Sequence, residues 1–263
     1  MLFKTNFIFE QRTEIKDYIM QYLVFDIETA PIDWELFSDS QKEYWLRNAN
    51  TEEEIESRMF MRSLTPLTGK IVCIGLMVVK KENENWNILS QGVLATNPNT
   101  EQTEIIDEML DGGIKMQLSP ERKVLEDFWK ILQRYKLPTL ITFNGRNFDI
   151  PFIMLRSAVY KIRPAFNLMF GTKFNYPNHI DLIDELTFYS PTQWGATKKF
   201  NFDFYAHNFG IISPKAQGID GSKVPDFYAE GRIKEISEYC MRDVNATWEL
   251  FLHWNEYLNF NKQ

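Results

Sequence analysis

Five residues in three short stretches have the types and spacing to do chemistry together. In LVFDIET, residues 23–29, Asp26 and Glu28 alternate with apolar residues. Read as a strand, the stretch puts Val24, Asp26 and Glu28 on one face and Leu23, Phe25 and Ile27 on the other. The two carboxylates then stand about 7 Å apart, where like charges repel and burial is costly. A solvated edge strand would explain them, but Tyr22 and Val24 make the same face apolar. In FNGRNFDIPF, residues 143–152, Asp149 stands where a helix N-cap belongs, and capping alone accounts for an aspartate there. In EYCMRDVNAT, residues 238–247, Tyr239 and Asp243 are one helical turn apart. Their stripe continues to Ala246 and Leu250, which points it inward. A Tyr–Asp hydrogen bond that locks the helix down is the structural alternative. The three stretches together are more specific than any one. Hard cations take oxygen ligands. Two divalent ions about 4 Å apart can activate a water and stabilise the leaving oxygen of a phosphodiester. Bound cations would offset the repulsion of Asp26 and Glu28.

The elements that must position these groups are legible in outline. The first strand runs from Tyr22 to Glu28, and Pro31 breaks it. Residues 34–62 are charged and helix-prone, and TEEEIESRM reads as a solvated helix face. GKIVCIGLMVVK, residues 69–80, reads as a buried strand. NENWNILSQGVLA, residues 83–95, pairs with it as a hairpin across a polar turn at 81–85. Residues 97–118, with Asp111-Gly112-Gly113, read as an irregular surface excursion. A helix follows, with Ser119 as N-cap and Pro120 at its first position; Val124, Leu125, Phe128, Trp129, Ile131 and Leu132 form its apolar face. Residues 137–144 are a short strand, a helix begins at Asp149-Ile150-Pro151, and the last long helix runs from about Ile233 to Tyr257. A hairpin beside an α/β crossover predicts a mixed sheet with helices packed on it. Ligands of such sheets bind in the crevice at strand ends.

The bulk numbers bound the function. The 263 residues are 44% hydrophobic and 15% aromatic, enough for a packed core rather than disorder. A net charge of −7 argues against a high-affinity duplex binder, but not against an enzyme that holds a few nucleotides in a cleft. Cys73 and Cys240 lack metal-ligand spacing and read as buried reduced thiols rather than a zinc site. His179, His207 and His253 have no ligand spacing either. No apolar run approaches a membrane span and the N-terminus lacks a signal-peptide core, so a cytoplasmic protein with no membrane partner is expected. Residues 1–19, before Met20, carry no motif and read as an N-terminal extension of uncertain status; residues 20–263 read as one domain.

With Asp-x-Glu, Asn-x3-Phe-Asp and Tyr-x3-Asp in this order, the chain resembles the DEDDy branch of the DnaQ-like 3′–5′ exonucleases. Within it, the chain is most similar to stand-alone bacterial enzymes related to the proofreading domain of family-B DNA polymerases. HIDLIDEL and the run from KAQGIDGSKV to SEYC also resemble that subgroup. The resemblance implies an α/β, ribonuclease H-like mixed sheet flanked by helices. It implies a 3′–5′ exonuclease acting on single-stranded DNA ends with two divalent ions, Mg²⁺ or Mn²⁺. Asp26 would bridge both metals, Glu28 and Asp243 would complete the tighter site, and Asp149 would support the second metal. Tyr239 would orient the attacking water. Thr29, Asn144 and Phe148 would hold the terminal nucleotide, Phe148 by stacking. Arg146, Arg156, Lys161, Arg163, Lys173, Lys198, Lys199, Lys215 and Lys223 are candidates to track a single strand. An exoribonuclease with the same acidic site, told apart by how it treats a 2′-hydroxyl, and a non-catalytic nucleic-acid-binding module are the alternatives. No polymerase motif accompanies these residues, so a proofreading role implies a polymerase or repair partner in trans.

Overall fold

The computed structural model describes residues 20–96, 105–214 and 218–260. The N-terminal extension, the first part of the expected excursion and Lys215 lie outside them. Seven strands form one sheet: β1 (Gln21–Pro31), β2 (Gly69–Glu82), β3 (Asn85–Thr96), β4 (Ile106–Met109), β5 (Lys115–Ser119), β6 (Thr139–Thr142) and β7 (His179–Asp181). Their order is β4-β5-β3-β2-β1-β6-β7. The helices are α1 (Asp39–Trp45), α2 (Glu52–Met61), α3 (Glu121–Arg134), α4 (Asp149–Val159), α5 (Leu182–Leu186), α6 (Phe202–Asn208), α7 (Val224–Ala229) and α8 (Ile233–Tyr257). β1, β2 and β3 are successively antiparallel, whereas β6 and β7 run parallel to β1. This is the expected mixed α/β sheet flanked by helices, with the β4–β5 pair lying beyond β3.

The strand period divides the core as the alternation in β1 predicts. Leu23, Phe25 and Ile27 pack with α3 and α4 on one face. Tyr22, Val24 and Ala30 pack with α8 on the other. On the α3/α4 face, buried Glu121 pairs with Arg156 at 2.7 Å. The same carboxylate accepts from the Ile71 amide and the Tyr160 hydroxyl, both at 2.9 Å. These bonds tie α3, α4 and β2 into one block and leave Arg156 unavailable to nucleic acid.

Two expectations fail here. Residues 106–119 are not irregular: β4 and β5 form a hairpin, and β5 adds to the sheet parallel to β3. The Asp111-Gly112-Gly113 signal is that hairpin's turn, with φ near +75° at both glycines. Its strands are four and five residues long, too short to show period 2. Ser119 does not cap α3 either. It ends β5 in register with Thr96, and Pro120 occupies the cap position without a side-chain bond.

Gly75 stands opposite Asp26 in the β1–β2 ladder, where α8 crosses the sheet. A Cβ there would lie 2.9 Å from the Cys240 sulfur and 3.0 Å from Val244 Cγ2. Gly75→Ala is therefore expected to push α8 outward and destabilise the protein by about 1–3 kcal/mol. The measurement is the denaturation midpoint; an unchanged midpoint would show that α8 tolerates the shift.

Candidate active site

The strand directions bring the three stretches together. β1, β6 and β7 are parallel neighbours, so their carboxyl ends share one end of the sheet. Asp26 and Glu28 lie near that end of β1, residues 143–149 follow β6, and Asp181 ends β7. α8 lies across the same face of β1 and delivers Tyr239, Cys240 and Asp243.

β6 stops at Thr142 while β1 runs on. Beyond that point, the Ile27 N–H donates to Asp149 Oδ1 at 3.0 Å. This corrects the capping expectation: Phe148 occupies the cap position, and the buried Asp149 carboxylate reaches sideways to β1. Burial pushes it up to about 7, with Asp181 and Asp243 adding repulsion and backbone donors pulling the other way. Burial also pushes Asp26 well above the carboxylate range, with Asp149 and Asp243 as the next causes. Glu28 is raised by burial, then by Asp26 and Asp243. Carboxyl oxygens of Asp26 and Glu28 and the Cys240 sulfur all lie within 4.8 Å of one another. Among the described residues, no lysine, arginine or histidine pairs with Asp26, Glu28 or Asp149. Buried, mutually repelling oxygen donors without a basic partner fit divalent cations.

Tyr239 is buried, and its hydroxyl hydrogen-bonds the Asp243 side chain; burial and the carboxylates Asp243, Glu28 and Asp26 raise it, so it stays neutral. The Tyr–Asp bond and the inward orientation thus coexist at one place. Asn144 adopts a left-handed φ of +67°, a region that asparagine tolerates well. Its side-chain oxygen accepts from Lys199 Nζ at 2.6 Å. Asn144, Lys199, Tyr239 and Asp243 line one cavity of about 300 Å³.

The other expected nucleotide contacts are placed differently. The Thr29 hydroxyl donates to the Ser63 carbonyl at 2.7 Å, which occupies it structurally. Phe148 packs on Phe152, with ring centroids 5.6 Å apart, beside the α3/α4 core. Arg146 is buried, its guanidinium 3.9 Å from the Tyr176 ring centroid and bonded to the Met169 and Thr172 carbonyls; it is not a surface contact. His179 is a core residue that shares a 2.8 Å hydrogen bond with Thr142. Burial, with Arg146 nearby, lowers it to about 3.

Two residues were missed. Cys240 follows Tyr239 on the inward stripe, and its thiol donates to the Asp26 carbonyl at 3.4 Å. Burial and its neighbours, Cys73 first, hold it well above the thiol range, so it packs as a neutral thiol. Asp181 is fully buried, and its carboxylate accepts the amides of Asn144 and Arg146 at 2.7 and 2.8 Å. It fixes the loop that carries Asn144 into α4. Gly145 allows that fold, since a Cβ there would meet Thr142 Oγ1 at 2.5 Å. The signal lay in HIDLIDEL, an aspartate ending a short apolar run. Asp181→Ala leaves the amides of Asn144, Arg146 and Ile183 without this acceptor and is expected to cost about 1–3 kcal/mol, read from the urea midpoint. A midpoint equal to the parent's would mean the loop is held otherwise.

The chain is 28% identical over 145 residues to DNA polymerase 1 of Sulfolobus acidocaldarius, covering 52% of this chain and 16% of that one. It is 26% identical over 153 residues to the PolC-type DNA polymerase III of Mycoplasma genitalium, covering 57% and 8%. The chain thus spans a small part of either relative. The family B DNA polymerase of Pyrobaculum calidifontis superposes with a TM-score of 0.49 at 15% identity, over 90% of this chain and 24% of that one. A family described as a predicted 3′–5′ exonuclease related to the exonuclease domain of PolB matches residues 67–259. The match takes in Asn144, Asp149, Tyr239 and Asp243 and begins after β1, the strand that carries Asp26 and Glu28. Over most of its length, the chain belongs to the family of predicted 3′–5′ exonucleases related to the exonuclease domain of PolB.

Proposed function

We propose that this protein hydrolyses phosphodiester bonds one nucleotide at a time from the 3′ end of single-stranded DNA. The observation that carries this reading is the convergence of Asp26, Glu28, Asp149 and Asp243 at the carboxyl ends of parallel strands, where no lysine, arginine or histidine among the described residues pairs with Asp26, Glu28 or Asp149. Asp26, Glu28, Asp149 and Asp243 would hold two divalent ions, Mg²⁺ or Mn²⁺. Such ions supply Lewis-acid activation of a water and charge stabilisation of the leaving oxygen. Tyr239, neutral and inward, orients the water through its hydroxyl. Asp181 and Gly145 hold the loop that brings Asn144 to the cavity, where the terminal nucleotide sits. A polymerase or repair enzyme acting on the same end in trans is the partner this activity suits.

The test uses end-labelled single-stranded DNA, duplex DNA and RNA of matched sequence, with Mg²⁺ or Mn²⁺. Stepwise shortening of the 5′-labelled single strand is expected, with a circular single strand resistant. Cleavage of the circle, or full activity in excess chelator, would overturn the reading. Preferred shortening of the RNA would move the substrate to RNA.

The raised carboxylates also set a pH dependence. In the folded protein Asp149 holds its proton up to about 7, against 3.8 unperturbed. The folded state therefore binds more protons, and its contribution to stability falls as pH rises from about 4 to about 7. Asp26 and Glu28 act in the same sense. Bound Mn²⁺ requires the deprotonated forms. Mn²⁺ at a hundredfold excess over its Kd at pH 8 is expected to raise the melting temperature there by about 5–10 °C, and the same concentration is expected to raise it by less at pH 5.5. Equal rises at both pH values in a melting assay would contradict this.

A further inference from the structure

We propose that Trp194, Phe200 and Phe204, with Lys198 between the first two, form a stacking platform for the unpaired DNA strand 5′ of the terminal nucleotide. The inference rests on the function proposed above and names the surface that receives the rest of the strand. Lys198 Nζ stands 4.9 Å from the ring centroid of Trp194 and 4.9 Å from that of Phe200. The Phe200 and Phe204 rings lie 4.8 Å apart, tilted by 36°. Yet Trp194 is 74% exposed and Phe204 53% exposed. The row is thus ordered by its own contacts while its outer faces remain open to solvent.

Continuity and charge decide the occupant. Phe200 belongs both to this row and to the wall of the cavity shared by Tyr239 and Asp243. Phe200 therefore joins that cavity to the row, and a strand whose 3′ end sits in the cavity can pass over it onto Phe204 and Trp194. Lys199, the next residue, faces the cavity through its bond to Asn144. Among the described residues, neither Lys198 nor Lys199 is in an ion pair, in a chain of net charge −7. Asp203, the acidic residue nearest in sequence, is bonded to the Ser213 hydroxyl. Aromatic faces interleaved with lysines suit stacked bases joined by phosphates, because every base offers a π face. A duplex offers its bases to no such row.

The test is binding of 5′-fluorescein oligodeoxythymidylates of three and twelve nucleotides by anisotropy. It uses the full chain carrying Asp26→Asn, with Mg²⁺ present. The twelve-mer is expected to bind at least about tenfold tighter than the three-mer. Trp194→Ala with Phe204→Ala should weaken the twelve-mer by about tenfold or more and leave the three-mer within about twofold. Lys198→Ala should lower the salt slope of twelve-mer binding by about one charge. Circular dichroism of the parent and the double variant should agree, since both residues are exposed. A twelve-mer affinity within about twofold of the parent's overturns the platform. So does an equal loss for a duplex twelve-mer. The functional reading is judged separately, by whether the unsubstituted protein shortens single strands. If it does and the double variant binds normally, only the platform fails. If it does not, yet the double variant loses long-strand binding, the platform stands and the exonuclease reading falls.

Discussion

Asp26→Asn is expected to slow 3′-terminal hydrolysis by at least about a thousandfold while leaving the protein as stable as the parent, or more so. Asp26 is the shared member of the acidic group. One of its oxygens lies within 4.8 Å of donor atoms of Glu28 and Cys240, and Asp149 and Asp243 both act on its charge. Cations at such a site contribute several kcal/mol of transition-state stabilisation, and each 1.36 kcal/mol is tenfold in rate. Losing a carboxylate that would hold such a cation should therefore cost three decades or more. Stability moves the other way, because the neutral amide removes one charge from a group that repels itself. In chelator, the variant should melt at or above the parent's temperature. With Mn²⁺ at pH 8, it should lose most of the parent's rise. A variant that keeps both the metal-dependent rise and a tenth of the activity would remove Asp26 from the metal site.

The parts of this molecule legible in the sequence are those whose signal is local. β1 and β2 are long Val/Ile-rich runs, and the two-faced reading of β1 matches the two apolar clusters on either side of the sheet. The bounds expected for α8, Ile233 and Tyr257, are those observed, because the inward stripe from Ile236 to Trp254 is unbroken. What stayed hidden depends on packing across the chain. Arg146 and Arg156 read as surface charge but are buried, one on Tyr176 and the other on Glu121; neither partner is near in sequence. Asp149 fits a cap by its neighbours, and only the early end of β6 shows why its carboxylate turns to Ile27. Asp181 is 32 residues further along the chain and becomes relevant only because β7 runs parallel to β6. Cys240 reads as an ordinary core thiol until Gly75 lets α8 close on Asp26. Residue types announced the acidic chemistry; strand order determined which groups meet.

Tyr239 and Asp243 share one helical face and one hydrogen bond, yet their substitutions are expected to separate. Asp243 is a proposed metal ligand. Its removal should cost about a thousandfold or more in rate and raise the metal concentration needed for half-maximal activity. Tyr239 keeps its proton because it is buried, with the neighbouring carboxylates adding to the effect, so its hydroxyl can only donate or accept hydrogen bonds. Its proposed work is to place the attacking water. Misplacing a nucleophile costs on the order of 10²-fold, so Tyr239→Phe should be impaired but measurable. Its metal requirement should match the parent's, because no carboxylate is lost. Packing should survive, because the buried ring is kept and only the bond to Asp243 goes. A Mg²⁺ titration of the single-turnover rate distinguishes the two variants. Parent-like rates in Tyr239→Phe would reduce the tyrosine to a strut that holds α8 on the sheet. A metal requirement shifted as far as in Asp243→Asn would mean that the hydroxyl orients the carboxylate itself, and that the water is held by another group.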